Sequence, residues 1–166
     1  MTAFLGIGSN TGDRLLHIEK ALELLQQEAG RIVKISNIYE TEPWGFQSEN
    51  SFINLVLTIE TSLVPVELLR ICKQIEKKAG RKKTAASGYQ NRPLDIDILF
   101  YENRILKTAA LTIPHPLIQE RLFVLQPLCD IAPDFVHPQL HEKMSVLLEK
   151  CRDKSWVRPS EFVIRK

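Results

Sequence analysis

From residue 94 to residue 100 the chain reads Leu-Asp-Ile-Asp-Ile-Leu-Phe, and the alternation with which it begins leaves little choice of conformation. A period of two belongs to a half-buried strand; wound into a helix, the same residues would scatter around the cylinder. In an extended strand Asp95 and Asp97 share a face, their Cα atoms roughly 7 Å apart. Two carboxylates so placed repel each other unless a positive charge sits between them. A hard divalent cation, or a pair of them about 3.5–4 Å apart, answers that repulsion and suits phosphoryl chemistry. The plainer reading is a wet outer face whose carboxylates pair with neighbouring Lys or Arg, and an isolated D-x-D does not choose between the two. Arg92 precedes the carboxylates, and Pro93 pins the chain where the strand begins.

A chain of 166 residues suits one domain with a single core, expected over 1–166. Its formal net charge of +2 gives no overall attraction to nucleic acid or membrane, so an electrostatic function has to come from local clusters. The three cysteines, Cys72, Cys129 and Cys151, are odd in number, far apart and without metal-ligand spacing. They argue for a reducing cytosol and against a disulfide framework or a zinc site. No apolar run approaches the ~20 residues of a membrane span, and the first residues lack the basic n-region of a signal peptide. The expectation is a compact cytoplasmic domain that binds neither nucleic acid nor membrane.

Residues 2–8 read as a short apolar strand closing on Gly6-Ile7-Gly8-Ser9-Asn10. A helix is predicted over 13–29, with Leu15, Ile18, Leu22 and Leu25 on one face and Gly30 as its stop. Strands follow over 32–39 and 52–59, separated by a polar loop, 40–51, of about the length that usually signals function. A second helix begins near Pro65 and ends before Gly80, and another long polar loop, 81–91, leads into the aspartate strand. The order β-α-β-β-α-β is the ferredoxin-like α+β arrangement, with helices on one face of a mainly antiparallel sheet. Beyond it the pattern predicts a short hairpin around 101–112, helices over 117–132 and 141–151, and an edge strand within 156–166.

The segment from Gly6 to Asp13 joins a strand to a helix, where backbone N–H groups could cradle phosphate. It is no dinucleotide fingerprint, because Thr11 stands at the third glycine position, and no P-loop, because Gly-Lys-Ser/Thr is absent. A tight turn and close packing account for these glycines better. A nucleoside triphosphate would therefore need metals and basic side chains to neutralise it. Such side chains cluster in one window: Arg70, Lys73, Lys77, Lys78, Arg81, Lys82 and Lys83. The helical members complement the helix dipole; Arg81, Lys82 and Lys83 open a loop of small residues that can swing over a bound polyphosphate. Pro114-His115-Pro116 is a rigid extended corner that holds an imidazole, with Arg121 and Phe123 after it. Singly, His115, His137 and His141 read as structural histidines and Phe123 as core. Trp44, Phe46, Phe52 and Asn54 rim the 40–51 loop and have the makings of a pocket for a flat heterocycle, with aromatic faces to stack on it and an amide to read its edge. Phe52 alone reads equally well as an inward strand residue.

Together, Gly8-Ser9-Asn10, Tyr39-Glu40-Thr41-Glu42-Pro43-Trp44-Gly45, Phe52-Ile53-Asn54, Gly80-Arg81, Arg92-Pro93-Leu94-Asp95-Ile96-Asp97-Ile98-Leu99, Pro114-His115-Pro116 and Arg121-Leu122-Phe123-Val124-Leu125 resemble the 6-hydroxymethyl-7,8-dihydropterin pyrophosphokinases of the folate pathway. They run in that family's order from residue 4 to about residue 134; the 92–99 block with the downstream Pro-His-Pro is highly specific, whereas the glycine segment alone is weak. The resemblance implies transfer of the β,γ-diphosphate of ATP to the hydroxymethyl oxygen of a reduced pterin, with release of AMP, by a Mg²⁺-dependent monomer. Carried over by position, Asp95 and Asp97 look like ligands of two Mg²⁺ ions. Phe52 and Phe123 look like the faces of a pterin sandwich, Asn54 like the group reading the ring edge, and Thr41, Glu42, Pro43 and Trp44 like further ring contacts. Tyr89 stands near the place of a loop aromatic over the pterin. Lys73, Glu76, Lys83, Arg92, Ile98, Thr112, His115 and Arg121 look like ATP contacts, with Arg81, Lys83 and Arg92 facing the phosphates. No side chain stands out as a general base.

The sequence departs from some members of that family. Ala110 stands where certain relatives place an arginine, and Lys83 and Lys73 where others have arginine and glutamine. The 82–91 loop is about one residue longer, which bears on the place of Tyr89. Lysine also loses the bidentate fork of arginine. Two rival readings remain open: a two-metal nucleotidyl- or other phosphotransferase, which would release inorganic diphosphate in place of AMP, and a non-enzymatic ferredoxin-like binding module. Against an RNA module, no strand carries the RNA-recognition pattern, and such a module has no use for two adjacent metal-grade carboxylates.

Overall fold

The computed structural model describes residues 1–80 and 90–164, so Arg81, Lys82, Lys83 and Tyr89 lie outside the described residues. Strand β1 (Thr2–Ser9) is an inner strand of a six-stranded antiparallel sheet. The other strands are β2 (Arg31–Ile35), β3 (Tyr39–Thr41), β4 (Phe52–Glu60), β5 (Asp95–Tyr101) and β8 (Val157–Pro159). Their order is β5-β1-β4-β3-β8, with β2 also pairing with β4. Helix α1 (Arg14–Glu28) connects β1 to β2, and α2 (Pro65–Lys78) lies between β4 and β5. The expected β-α-β-β-α-β core is therefore present in an α+β fold. The hairpin is β6 (Leu106–Lys107) with β7 (Thr112–Ile113), set a little later than expected.

Both core helices follow from local chemistry. Asp13 caps α1 by accepting the Leu16 N–H at 3.0 Å, and Ile18, Ala21, Leu22 and Leu25 are buried along its inner face. Pro65 opens α2, where its missing N–H costs nothing, and the Glu67 carboxylate accepts the Val64 N–H at 3.1 Å. The two helices cover the face of the sheet to which Leu5, Ile7, Ile53, Leu55, Leu57, Ile59 and Ile96 contribute.

Three expectations require correction. The strand expected over 32–39 is two strands, β2 and β3, both paired with β4 and separated at residues 36–38. There the Ser36 hydroxyl accepts the Val56 N–H at 2.9 Å while the Val56 carbonyl accepts the Ser36 N–H at 2.9 Å. A side-chain oxygen thus satisfies the ladder where the backbone kinks away. Beyond the core, the expected C-terminal helices pack on the second face of the sheet: α3 (Leu122–Ile131) and α4 (Met144–Lys150) cover Phe4, Val56, Leu99 and Phe100. The register shift opposite Phe4 and Leu5 brings both Leu99 and Phe100 to this layer. Finally, the helix expected over 117–132 is interrupted at Arg121, whose extended φ −123°, ψ 101° separates a 3₁₀ turn (Ile118–Glu120) from α3. The one expected over 141–151 starts only at Met144 because His141 holds a left-handed φ of 57°. The expected edge strand is β8, which pairs with β3. Among the described residues no helix is long and apolar enough to cross a membrane.

Ser36→Ala would leave the buried Val56 N–H without its acceptor. The expected cost is about 1–3 kcal/mol, seen as a lower urea midpoint at unchanged m-value. An unchanged midpoint would show that the kink does not depend on the hydroxyl.

Candidate active site

The second face of the sheet is covered by helices at its Phe4 end and left open at its glycine end. Gly6 and Gly8 lie inside β1, opposite Asp97 and Asp95 of β5 on one side and Val56 and Asn54 of β4 on the other. The floor is thus a strip of bare backbone, flanked by carboxylates along one margin and by an amide across it. Gly8 is required there: a Cβ on it would stand 2.4 Å from Asn54 Oδ1, too close for any real contact. Phe52, Trp44, Glu42, Arg121 and Phe123 rise around the strip and close it into a trough.

Asp95 and Asp97 project from the same face and line the same trough, as the period-two pattern requires. Arg92 Nη1 donates to Asp95 Oδ2 at 2.9 Å, and the Arg92 N–H is fixed by Asn10 Oδ1 at 2.7 Å. Arg121 Nη1 lies 4.0 Å from Asp97 Oδ2. Burial first, and then the negative charge of Asp95, push the Asp97 carboxyl up to about 6, with Lys73 and Arg121 pulling the other way. Its side chain nevertheless keeps 36% of its surface in solvent. These are hard oxygen donors, and among the described residues no group of three or more His, Cys, Asp or Glu gathers around them. Two carboxylates fit Mg²⁺ that keeps waters and shares its shell with substrate phosphates.

The residues expected to contact the ring assemble from distant segments. Asn54 donates its Nδ2 to Thr41 Oγ1 at 2.8 Å, which orients the amide across the floor. Arg121 is 4% exposed, and its guanidinium carbon lies 4.8 Å from the centroid of the Trp44 ring and 5.7 Å from that of Phe123. The Trp44 and Phe123 rings are 6.5 Å apart and tilted by 57°, and Phe46 meets Phe52 edge-on at 6.2 Å. Pro43 is half-buried between Glu42 and Trp44 and does not line the trough.

The remaining expected residues lie outside the trough lining. Glu76 is 2% exposed; its Oε1 accepts the Ile96 N–H at 2.8 Å and pairs with Lys73 Nζ at 2.8 Å, at the edge of the sheet that β5 forms. The Ile98 side chain is in the first core, so its backbone alone is available for a ligand. Thr112 pairs with Lys107 in the hairpin. The His115 N–H donates to the Leu99 carbonyl at 2.9 Å, and its Nδ1 accepts the Leu117 N–H at 3.2 Å. Burial, and then Arg121, lower its pKa to about 4, so the imidazole is neutral with Nε2–H as donor. His137 is structural, its Nδ1 accepting the Gln139 and Leu140 N–H groups at 3.2 Å each.

Gly6 and Gly8 as pocket floor, with Val56 and Leu99 as walls, were not read as functional from sequence. Two glycines at strand spacing around Ile7 were the available signal for a close approach to backbone. Asn10 is a further addition. Buried to 2%, it donates to Asn91 Oδ1 at 2.7 Å and to the Asn50 carbonyl at 3.4 Å, which ties the end of β1 to both site loops.

Residues 4–133 match the family model described as 7,8-dihydro-6-hydroxymethylpterin-pyrophosphokinase (HPPK). A 2-amino-4-hydroxy-6-hydroxymethyldihydropteridine pyrophosphokinase of Aquifex aeolicus is 45% identical over 137 residues, covering 82% of this chain and 84% of that protein. The protein of the same name from Bacillus subtilis is 42% identical over 130 residues, covering 78% of this chain and 77% of its own length. The folic acid synthesis protein fol1 of Schizosaccharomyces pombe is 44% identical across 89% of this chain, which spans only 20% of that protein. The fold is also that of part of the wild-type Plasmodium falciparum HPPK-DHPS crystal structure, with a TM-score of 0.72 at 18% identity over 90% of this chain and 44% of that one.

The raised pKa of Asp97 has a thermodynamic consequence for the metal-free protein. Its folded-state value lies above the unfolded one, so the ionised carboxylate opposes folding near neutral pH, and protonation relieves that cost as pH falls through about 6. Solvent on the open side screens the repulsion, leaving a penalty on the order of 1 kcal/mol. Asp97→Asn should therefore raise the Tm at pH 7.5 by about 2–4 °C, with a gap that closes toward pH 4. A gap that widens on acidification would mean that Arg121 outweighs Asp95.

Proposed function

The chain belongs to the 7,8-dihydro-6-hydroxymethylpterin-pyrophosphokinase family, and on that premise we propose how its residues divide the work of diphosphate transfer. It is an ATP-dependent diphosphokinase of folate biosynthesis, which moves the β,γ-diphosphate of ATP to the hydroxymethyl oxygen of the pterin and leaves AMP. Membership does not favour the two rivals, a nucleotidyl- or other phosphotransferase and a binding module. One observation supports siting the chemistry in this trough: Asp95 and Asp97 share a sheet face with a slot rimmed by Phe52, Trp44 and Phe123.

The flat ring enters between Phe52 and Phe123, and Asn54, its Nδ2 held by Thr41, offers its carbonyl to the ring edge. Asp95 and Asp97 would hold two Mg²⁺ ions, which when bound would supply neutralisation of the triphosphate. Arg92 and Arg121 already stand against those carboxylates, so the anionic nucleotide meets cations on both margins. The attacking hydroxyl must lie in line with the bond between the α- and β-phosphates, and positioning with charge neutralisation carries the catalysis. Neutral His115 contributes an N–H to the nucleotide but no charge. Lys73, Glu76, Thr112 and the Ile98 backbone make up the nucleotide's side of the site along the β5 edge. Arg81, Lys83 and Tyr89 rest on the resemblance alone. A monomer, one domain over 1–166 and a cytoplasmic location complete the proposal, although relatives such as fol1 embed the same unit in a longer chain.

Product analysis with ATP, Mg²⁺ and the reduced hydroxymethylpterin tests the reaction: AMP is expected, and inorganic diphosphate would favour nucleotidyl transfer. Asp97→Ala should lower AMP formation at least about a hundredfold, with wild-type turnover as the result that would remove the metal assignment. Gly8→Ala pushes the Asn54 amide off its position, and should raise the KM for the pterin about tenfold while leaving the KM for ATP near wild type. Equal effects on both substrates would refute the ring-edge role of Asn54.

A further inference from the structure

The segment after α4 lies beyond the residues matched by the family model, yet it bonds to both walls of the ring slot. On one wall, Asp153 Oδ2 accepts the Leu122 N–H at 2.9 Å. Leu122 is the first residue of α3, and Arg121 at the N-cap makes no side-chain capping hydrogen bond. A carboxylate from the tail therefore does the capping, directly between Arg121 and Phe123. That carboxylate is itself oriented, since Asp153 Oδ1 accepts the Ser155 N–H at 2.9 Å and the Ser155 hydroxyl.

On the opposite wall, the Trp156 N–H donates to Glu42 Oε1 at 2.6 Å, and the Trp156 carbonyl accepts the Glu42 N–H at 3.3 Å. β8 then runs along β3, with Val157 opposite Thr41 and Arg158 opposite Glu40. Arg158 reaches Glu40 Oε2 at 3.1 Å. Glu40 also accepts from the Ser51 hydroxyl at 2.6 Å, and Arg14 lies 3.5 Å away, so the two ends of the 40–51 loop are bound together under the strap.

We propose that residues 153–158 are a staple that sets the width of the ring slot, with Asp153 and Trp156 as positioning residues for the heterocycle. The inference rests on the pterin site proposed above. The Tyr39 hydroxyl donates to Asp130 at 2.9 Å and so ties β3 to the last turn of α3, whereas at the first turn the Trp44 and Phe123 rings meet at a tilt, 6.5 Å apart. The staple adds directional hydrogen bonds at that end, beside the slot. A slot ordered before the ring arrives spends less of the stacking energy on its own ordering, so loosening the staple is felt in ring binding before nucleotide binding.

The test is steady-state kinetics on the full chain, with AMP as the product read. Asp153→Ala should raise the KM for the hydroxymethylpterin about fivefold, the scale of one ordinary hydrogen bond, and leave the KM for ATP within about twofold. Asp153→Asn keeps one acceptor for the Leu122 N–H but sets its NH2 against the Ser155 N–H, and should restore the pterin KM in part. Trp156→Pro, which lacks the donated N–H, should act in the same direction as Asp153→Ala. Ser155→Ala, a milder change that removes one of the two bonds orienting the carboxylate, serves if Asp153→Ala folds poorly. An unchanged pterin KM, or equal rises for both substrates that Asn does not restore, overturns the staple. A wild-type chain that forms no AMP overturns the reaction assignment instead, so the two failures remain distinct.

Discussion

The site depends on a missing side chain. At Gly8 strand β1 presents only backbone, and the Asn54 amide occupies the space that a Cβ would need. The sheet can therefore carry polar groups on adjacent strands and still leave a floor flat enough for a planar ligand. The same face one turn of the pleat away holds Phe4 and a second apolar core. A single strand thus serves as packing surface at one end and as ligand floor at the other, and the change occurs between Phe4 and Gly6.

Charge is arranged around that floor with similar economy. Each carboxylate has its own arginine: Arg92 reaches Asp95 from the segment just before the strand, and Arg121 approaches Asp97 from the break between the 3₁₀ turn and α3. Arg121 also stacks on Trp44, so one guanidinium joins the carboxylates to the aromatic rim of the trough. In the free protein these cations limit the repulsion between the carboxylates. On the proposed reading the same groups stand ready for the phosphates of a nucleotide, and little reorganisation is needed.

Much of this was legible in the sequence because periodicity reports faces. The alternation of 94–98 placed Asp95 and Asp97 together, and the helical spacing of Ile18, Leu22 and Leu25 identified the buried side of α1. The ferredoxin-like order of the core followed from the same patterns. The misreadings have a common cause. The kink at Ser36, the break at Arg121 and the delayed start of α4 at His141 are points where side-chain hydrogen bonding or an unusual backbone angle overrides a continuous pattern. Periodicity is blind to both. Gly6 and Gly8 were attributed to turn and packing, whereas the functional meaning of the packing emerged only with β4 and β5 on either side.

By itself the sequence determined the strand that carries the carboxylates, the faces of the two core helices and the family to which the chain is similar, because each is written in short-range spacing. Tertiary structure alone decided that Asn54, Gly8 and Asp95 lie in one row, that Trp44 and Phe123 face one another, and that the tail after α4 joins both walls of the slot. Those relations link residues far apart along the chain. They follow from strand register and helix packing, which no local pattern encodes.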